Sequence, residues 1–104
     1  MPPSLVGALD QGTTSTRFSL YRIESAAGAK LTAVASHQME HKQIFPQPGW
    51  CEHDPEEIVA NAHECMSSAL AKVPGGATAA DVACVGITNQ RETVVAWDVE
   101  SGKP

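Results

Sequence analysis

Leu5, Val6, Ala8 and Leu9 make a short apolar run that stops at Asp10-Gln11-Gly12-Thr13-Thr14, beyond which Phe18 and Leu20 alternate with Arg17 and Ser19 up to Ile23. Period-two patterning on both sides of a Gly/Thr turn predicts strand, tight turn, strand. Gly28 predicts a second turn, after which Leu31, Ala33 and Ala35 alternate with Thr32, Val34 and Ser36 in a third strand reaching Met39. Residues 45–55 carry Pro46, Pro48, Gly49 and Trp50 in quick succession. They read as an ordered loop tied down by its aromatic residue.

Asp54-Pro55-Glu56-Glu57 is a helix start: Asp54 can cap, Pro55 suits the first helical position, and Glu57 is expected to complete a capping box. Ile58, Ala62, Cys65, Met66, Ala69, Leu70 and Val73 then recur at three- and four-residue steps until Pro74-Gly75-Gly76 ends the helix. Residues 82–88 form a nearly continuous apolar run, which predicts a strand buried on both faces. A further strand is expected over residues 93–97, followed by a turn at Ser101-Gly102.

The order β-β-β-α-β-β fixes strand directions. In a meander the first and third strands run the same way, and a helical crossover makes the fourth parallel to the third, hence to the first. The carboxyl ends of the first and fourth strands therefore share one sheet edge, where open α/β sheets bind ligands. Those ends are Asp10-Gln11-Gly12-Thr13-Thr14 and Thr88-Asn89-Gln90-Arg91-Glu92.

Composition narrows the function classes. Leu, Ile, Val and Phe number only 20 of 104 residues, against 15 alanines, so the core is thin. The formal charge of −5 is too small to make such a chain disordered, and one folded unit is the most this length allows. Seven basic residues scattered along the chain give no stripe for nucleic acid. No apolar run approaches a membrane span, and the start lacks the pattern of a secretory signal, which predicts a cytoplasmic protein. Cys51, Cys65 and Cys84 form an odd set without a C-x-x-C pair, expected as reduced thiols.

Several residues invite chemistry. In Asp10-x-Gly-Thr-Thr-Ser, Gly12 permits a sharp turn, and the backbone N–H groups with the hydroxyls of Thr13, Thr14 and Ser15 can face phosphate oxygens. Asp10 would then hold Mg²⁺, and Arg17 would add charge near the phosphates. Taken alone, an ordinary hairpin whose hydroxyls satisfy turn amides is the favoured reading, since short Gly/Thr turns are common. Arg91 and Glu92 suit a polyol, a guanidinium donating and a carboxylate accepting, against the plainer reading of a solvated loop with a local ion pair. Their position with the Gly/Thr turn at one sheet edge implies phosphoryl transfer to a hydroxyl. His37 and His41 have the spacing of a helical zinc pair but lie in a strand pattern, so a surface role is expected. His63 and Cys65 on a helix point about 200° apart, which excludes a four-ligand set with Cys51 and His53. Trp50 and Trp97 are expected as packing residues.

Three blocks carry a family resemblance: Ala8-Leu9-Asp10-Gln11-Gly12-Thr13-Thr14-Ser15-Thr16-Arg17, Pro48-Gly49-Trp50-Cys51-Glu52-His53-Asp54-Pro55, and Gly86-Ile87-Thr88-Asn89-Gln90-Arg91-Glu92-Thr93. Over nearly its whole length the chain resembles the glycerol kinases of the FGGY sugar and polyol kinase family. The first block is shared loosely among actin-like phosphotransferases, and the third separates glycerol kinases from relatives acting on xylulose or gluconate. The resemblance implies an α/β, RNase H-like (actin-like ATPase) fold, of which these residues form the β-β-β-α-β-β start of a mixed sheet. It implies ATP- and Mg²⁺-dependent phosphorylation of glycerol to sn-glycerol 3-phosphate in a cytoplasmic homo-oligomer. Thr13, Thr14, Ser15 and Arg17 are then nucleotide-binding, Asp10 serves the metal, and Arg91 and Glu92 bind glycerol.

Family members have several hundred residues, and the resemblance places their general base and adenine pocket beyond Pro104. Residues 1–104 are accordingly expected to be the N-terminal part of the first kinase domain, incomplete and inactive alone, because phosphoryl transfer depends on positioning and on excluding water. The competing expectations are a non-catalytic RNase H-like interaction or regulatory module, and another polyol kinase of the same family.

Overall fold

A computed structural model describes residues 3–24 and 30–104. The turn expected at Gly28 lies outside the described residues. The elements are β1 (Leu5–Gln11), β2 (Ser15–Glu24), β3 (Lys30–Glu40), α1 (Pro55–Lys72) and β4 (Val82–Asn89), with a single 3-10 turn at Ala79–Asp81 leading into β4. They form one four-stranded sheet in the order β3-β2-β1-β4. β2 runs antiparallel to both β1 and β3, while β4 runs parallel to β1. The mixed α/β sheet and the direction deduced for β4 are thus borne out.

β3 departs from simple alternation. Leu20 pairs with Ala35 and Tyr21 with Ala33, which leaves Val34 as an extra, bulged residue. One inserted residue turns the faces over. Ala35, His37 and Met39 therefore share the face of Leu20, Phe18 and Thr16, their register partners, rather than continuing the face begun by Leu31 and Ala33.

Asp54 caps α1 through its side chain, which accepts from Glu56 N at 2.9 Å, with Pro55 in the first turn. The capping box expected with Glu57 does not form. Glu57 Oε1 instead accepts from Lys42 N at 3.1 Å and ties the helix start to the segment after β3. Gly75 and Gly76, at φ +83° and +78°, let the chain leave the helix. The core joins Leu5, Phe18 and Leu20 of the sheet to Cys65, Ala69 and Val73 at the helix. Cys65 and Ala69 are small enough to bring the helix close to the sheet, and full burial of Leu20 alone contributes about 1.5–3 kcal/mol.

Three further expectations fail. β4 is not buried on both faces: α1 lies over β2 and β3, and Val85 and Ile87 remain 43% and 70% exposed. Residues 93–97 form no strand, since their apolar alternation finds no ladder partner among the described residues, although the turn at Ser101-Gly102 forms, with Gly102 N donating to Asp98 O at 2.8 Å. Trp50 and Trp97 do not act as packing residues, being 52% and 63% exposed. Loop 41–54 is held instead by the paired backbone bonds between Ile44 and Glu52 and by Trp50 N donating to Gln47 O.

Candidate functional site

The parallel register places Asp10 beside Thr88 and Gln11 beside Asn89. The turn after β1 and the loop after β4 are therefore neighbours at one sheet edge, as the strand directions required. Gly12 N donates to Ser15 O at 2.8 Å and closes the turn, while His41 N donates to Thr14 O at 3.2 Å and fastens it to the chain after β3.

On the sheet face away from α1, Asp10 and Arg17 are register partners, and Arg17 pairs in turn with Gln38. Arg17 Nη2 donates to Gln38 Oε1 at 2.7 Å, and Gln38 Nε2 donates to Ser15 Oγ at 2.7 Å. This chain orients the guanidinium and one turn hydroxyl together. Asp10, Thr13 and Thr14 are exposed at the same edge.

On the helix side, amide and imidazole groups from three segments interlock. Gln43 Nε2 donates to Thr13 O at 3.0 Å, and Gln43 Oε1 lies 2.8 Å from His53 Nε2 and accepts from Cys51 Sγ at 3.3 Å. Gln90 Nε2 reaches Gln11 Oε1 at 3.2 Å and His53 Nδ1 at 3.4 Å, while Thr93 Oγ1 donates to Gln90 Oε1 at 3.1 Å. His53 packs edge-on against His41, with ring centroids 4.4 Å apart. Burial holds the His53 imidazole below its ordinary pKa, aided by the charge of His41 and opposed by that of Glu57.

Beside this network opens a cleft of about 540 Å³ lined by Glu52, His53, Ile58, Glu92 and Thr93 among others. Glu92 adopts φ +58°, the only non-glycine residue in the left-handed region among the described residues. Arg91 is exposed and does not line the cleft, and neither its side chain nor that of Glu92 is hydrogen-bonded among the described residues. The local Arg91–Glu92 ion pair of the plainer reading is therefore not formed.

Residue patterns did not reveal Gln43, His53 and Gln90 as one network, because it depends on loop 41–54 folding back over the sheet edge. His41, expected at the surface, is buried with both ring nitrogens unpartnered. His37 is half-buried, with its Nδ1 2.8 Å from Lys72 Nζ. Cys65 is buried, its thiol 3.4 Å from Thr16 O, and burial pushes its pKa up. Cys51 and Cys84 are exposed, and all three cysteines are free. Among the described residues no three His, Cys, Asp or Glu side chains gather into a metal-holding group.

Residues 5–104 match the N-terminal domain of the FGGY family of carbohydrate kinases. Glycerol kinase of Rhizorhabdus wittichii is 56% identical over 99 residues, covering 95% of this chain and 18% of its own length. That of Acidiphilium cryptum is 52% identical over 99 residues, with coverage of 95% and 18%. Among solved structures, Plasmodium falciparum glycerol kinase with ADP matches with TM-score 0.80 and 37% identity over 100% of this chain and 20% of its own. Gluconate kinase from Lactobacillus acidophilus follows at TM-score 0.66 and 27% identity over 83% of this chain and 15% of its own. The chain thus spans about a fifth of the length of the relatives it matches.

Proposed function

From membership of the FGGY family of carbohydrate kinases, to which this chain belongs, we propose that these residues serve the ATP-dependent phosphorylation of glycerol to sn-glycerol 3-phosphate. The observation that carries this reading is the parallel pairing of β1 with β4, regular from Val6 to Gln11, which sets a phosphate-type turn beside a polyol-type loop. Identities above 50% to glycerol kinases favour glycerol over the substrates of more distant kinases.

Each residue then has a task. Thr13, Thr14 and Ser15, with the backbone N–H groups of their turn, receive nucleotide phosphate oxygens. Arg17, already oriented by Gln38, adds a charged donor. Asp10 would hold Mg²⁺: a single exposed carboxylate at a strand end fits a hard cation that takes few protein ligands. When bound, the ion supplies charge neutralisation along the phosphates. Glu92, on the cleft, accepts from a glycerol hydroxyl, and Arg91, whose unengaged side chain lies outside the cleft, turns in to donate to the same ligand.

The 104 residues are proposed as the N-terminal part of the first of two domains, the general base and adenine pocket coming from elsewhere in the protein. Their coverage of 18–20% of the relatives supports this. A cytoplasmic homo-oligomer is proposed for the whole protein; free cysteines agree with a reducing compartment, and no described helix is long and apolar enough to cross a membrane. The test is a substrate panel on the whole protein, read as kcat/KM for glycerol, xylulose and gluconate. A clear preference for glycerol is expected. Preference for another substrate would make it a different polyol kinase, and ATP binding without phosphorylation of any polyol would make it a non-catalytic module.

A further inference from the structure

Gln11, Gln43, His53 and Gln90 come from three separate segments, yet their hydrogen bonds form a ring that starts and ends on adjacent carbonyls. Gln11 Nε2 donates to Gly12 O at 2.8 Å, and Gln43 Nε2 donates to Thr13 O at 3.0 Å. Each anchor turns the other end of the amide, the acceptor oxygen, toward the ring. Gln43 Oε1 faces His53 Nε2 at 2.8 Å, so that nitrogen carries the proton. His53 Nδ1 is then a bare acceptor for Gln90 Nε2 at 3.4 Å, and the same amide group donates to Gln11 Oε1 at 3.2 Å. Gln11 Oε1, fixed by its own amide's bond to Gly12 O, requires the NH2 of Gln90 on that side, while Thr93 Oγ1, 3.1 Å from Gln90 Oε1 and 3.2 Å from Arg91 O, adds a further contact. All donors meet acceptors only when the imidazole is neutral and protonated on Nε2.

We propose that His53 is a positioning residue that, as the neutral Nε2–H imidazole, locks the loop after β4 to the phosphate turn after β1. The kinetic consequence rests on the kinase reading above: phosphate and acceptor hydroxyl are bound by two loops whose relative geometry the ring sets. The ring itself does not depend on that reading. A proton on Nδ1 would set N–H against the N–H of Gln90, and reversing the Gln90 amide would set its oxygen against Gln11 Oε1 and break that bond. The titratable and charged groups facing His53 are His41 at the end of β3, Glu57 on α1, Cys51 through Gln43, and Glu52 and Glu92 along the cleft. Burial and His41 outweigh Glu57 in opposing the proton, which keeps the ring closed at neutral pH.

The experiment compares glycerol phosphorylation by the whole wild-type protein, His53→Ala and His53→Gln from pH 5 to 8. Glutamine can donate to Gln43 and accept from Gln90 without titrating. His53→Ala is expected to lower kcat about tenfold, the equivalent of one or two ordinary hydrogen bonds, with KM for glycerol within about twofold. Wild-type kcat is expected to fall as pH drops below the ordinary imidazole value of about 6.5, and His53→Gln is expected to recover most of the loss and to abolish that fall. Superimposable pH profiles for wild type and His53→Gln would overturn the proposal, as would an unchanged kcat in His53→Ala. A second arm needs no substrate: His53→Ala, Gln11→Ala and the double variant are compared by urea unfolding of the whole protein. Less than additive destabilisation is expected, because either change opens the same ring, whereas strict additivity would overturn it. A protein that ignores glycerol but shows the coupling would lose the kinase reading and keep the ring.

Discussion

The ring of Phe18 lies against the α-carbon of Gly7 on the neighbouring strand, so that a methyl group at Gly7 would meet Phe18 Cζ and stand 2.9 Å from Cε1. Gly7 is opposite Leu20 in the β1–β2 ladder, and Phe18 is its diagonal neighbour on the same face. Glycine here makes room for a buried aromatic ring. Gly7→Ala is therefore expected to destabilise the protein by about 1–3 kcal/mol, the range for overpacking a closed core. Urea midpoints check it, and Phe18→Leu in the Gly7→Ala background should recover part of the loss. An unshifted midpoint in Gly7→Ala would mean that the ring yields freely.

Much of this architecture was legible in residue order, for reasons that particular residues make clear. Alternation around Phe18 and Leu20, the Asp54-Pro55 helix start and the Pro74-Gly75-Gly76 stop are local signals, and local signals suffice for β2 and α1. The run over residues 82–88 shows the limit: an apolar pattern states what a strand could bury, not whether anything lies over it. Val94, Val95 and Trp97 fail for the same reason, since strand propensity supplies no partner. At the site, the convergence of Asp10 and Thr88 followed from strand direction alone. His53 did not, because its neighbours Gln43, Gln90 and His41 are brought together by a long loop whose course no periodicity encodes.

Arg17 reaches the site through Gln38, which it meets at 2.7 Å and which in turn holds Ser15 Oγ. If Arg17 serves nucleotide phosphates, Arg17→Ala should raise KM for ATP about tenfold or more, the scale of one charge-assisted hydrogen bond, and leave KM for glycerol within about twofold. Gln38→Ala keeps the charge but frees its direction, so a smaller change of the same kind is expected. Steady-state kinetics with each substrate varied in turn measure both. A larger effect on glycerol than on ATP would remove Arg17 from the phosphate site.

The depressed pKa of His53 carries a stability consequence whose sign is determined. The unfolded chain takes up that proton near the ordinary value of about 6.5, whereas the folded chain resists it because the imidazole is buried and faces His41. Stability is therefore complete above that value and declines as pH falls toward the lowered one. Urea midpoints at about pH 7.5 and about pH 5.5 should differ less in His53→Gln than in wild type, since the variant lacks the titrating group. Equal differences in the two proteins would show that His53 does not contribute to the acid sensitivity.

Glu92 combines a carboxylate on the cleft with a backbone at φ +58°. Two substitutions separate the two properties. Glu92→Ala should lower kcat/KM for glycerol by the equivalent of about 2–4 kcal/mol, because bound hydroxyls lose a charged acceptor. Glu92→Gly should lose activity to the same degree while gaining up to about 1 kcal/mol in stability, as glycine adopts this conformation without strain. An unchanged kcat/KM in both variants would take Glu92 out of the substrate site.

The 104 residues expose 7384 Å², whereas a folded monomer of 11.0 kDa exposes about 5,600 Å² by the usual scaling of surface with mass. Their radius of gyration, 16.7 Å, likewise exceeds the roughly 13 Å of a compact domain this long. Part of the excess lies on the sheet: α1 leaves β4 bare, Ile87 and Val85 stand open on it, and among the described residues nothing pairs with its outer edge. An apolar edge of that kind pairs with other copies. Produced on their own, residues 1–104 should self-associate, with light scattering that rises with concentration and strong binding of an apolar dye. Ile87→Lys should suppress the scattering at equal concentration, because a charged side chain on an edge strand blocks edge-to-edge pairing without touching the Leu20–Cys65 core. A monodisperse monomer at high concentration, unfolding cooperatively near the upper end of the usual ~5–15 kcal/mol, would show that the thin core is sufficient by itself.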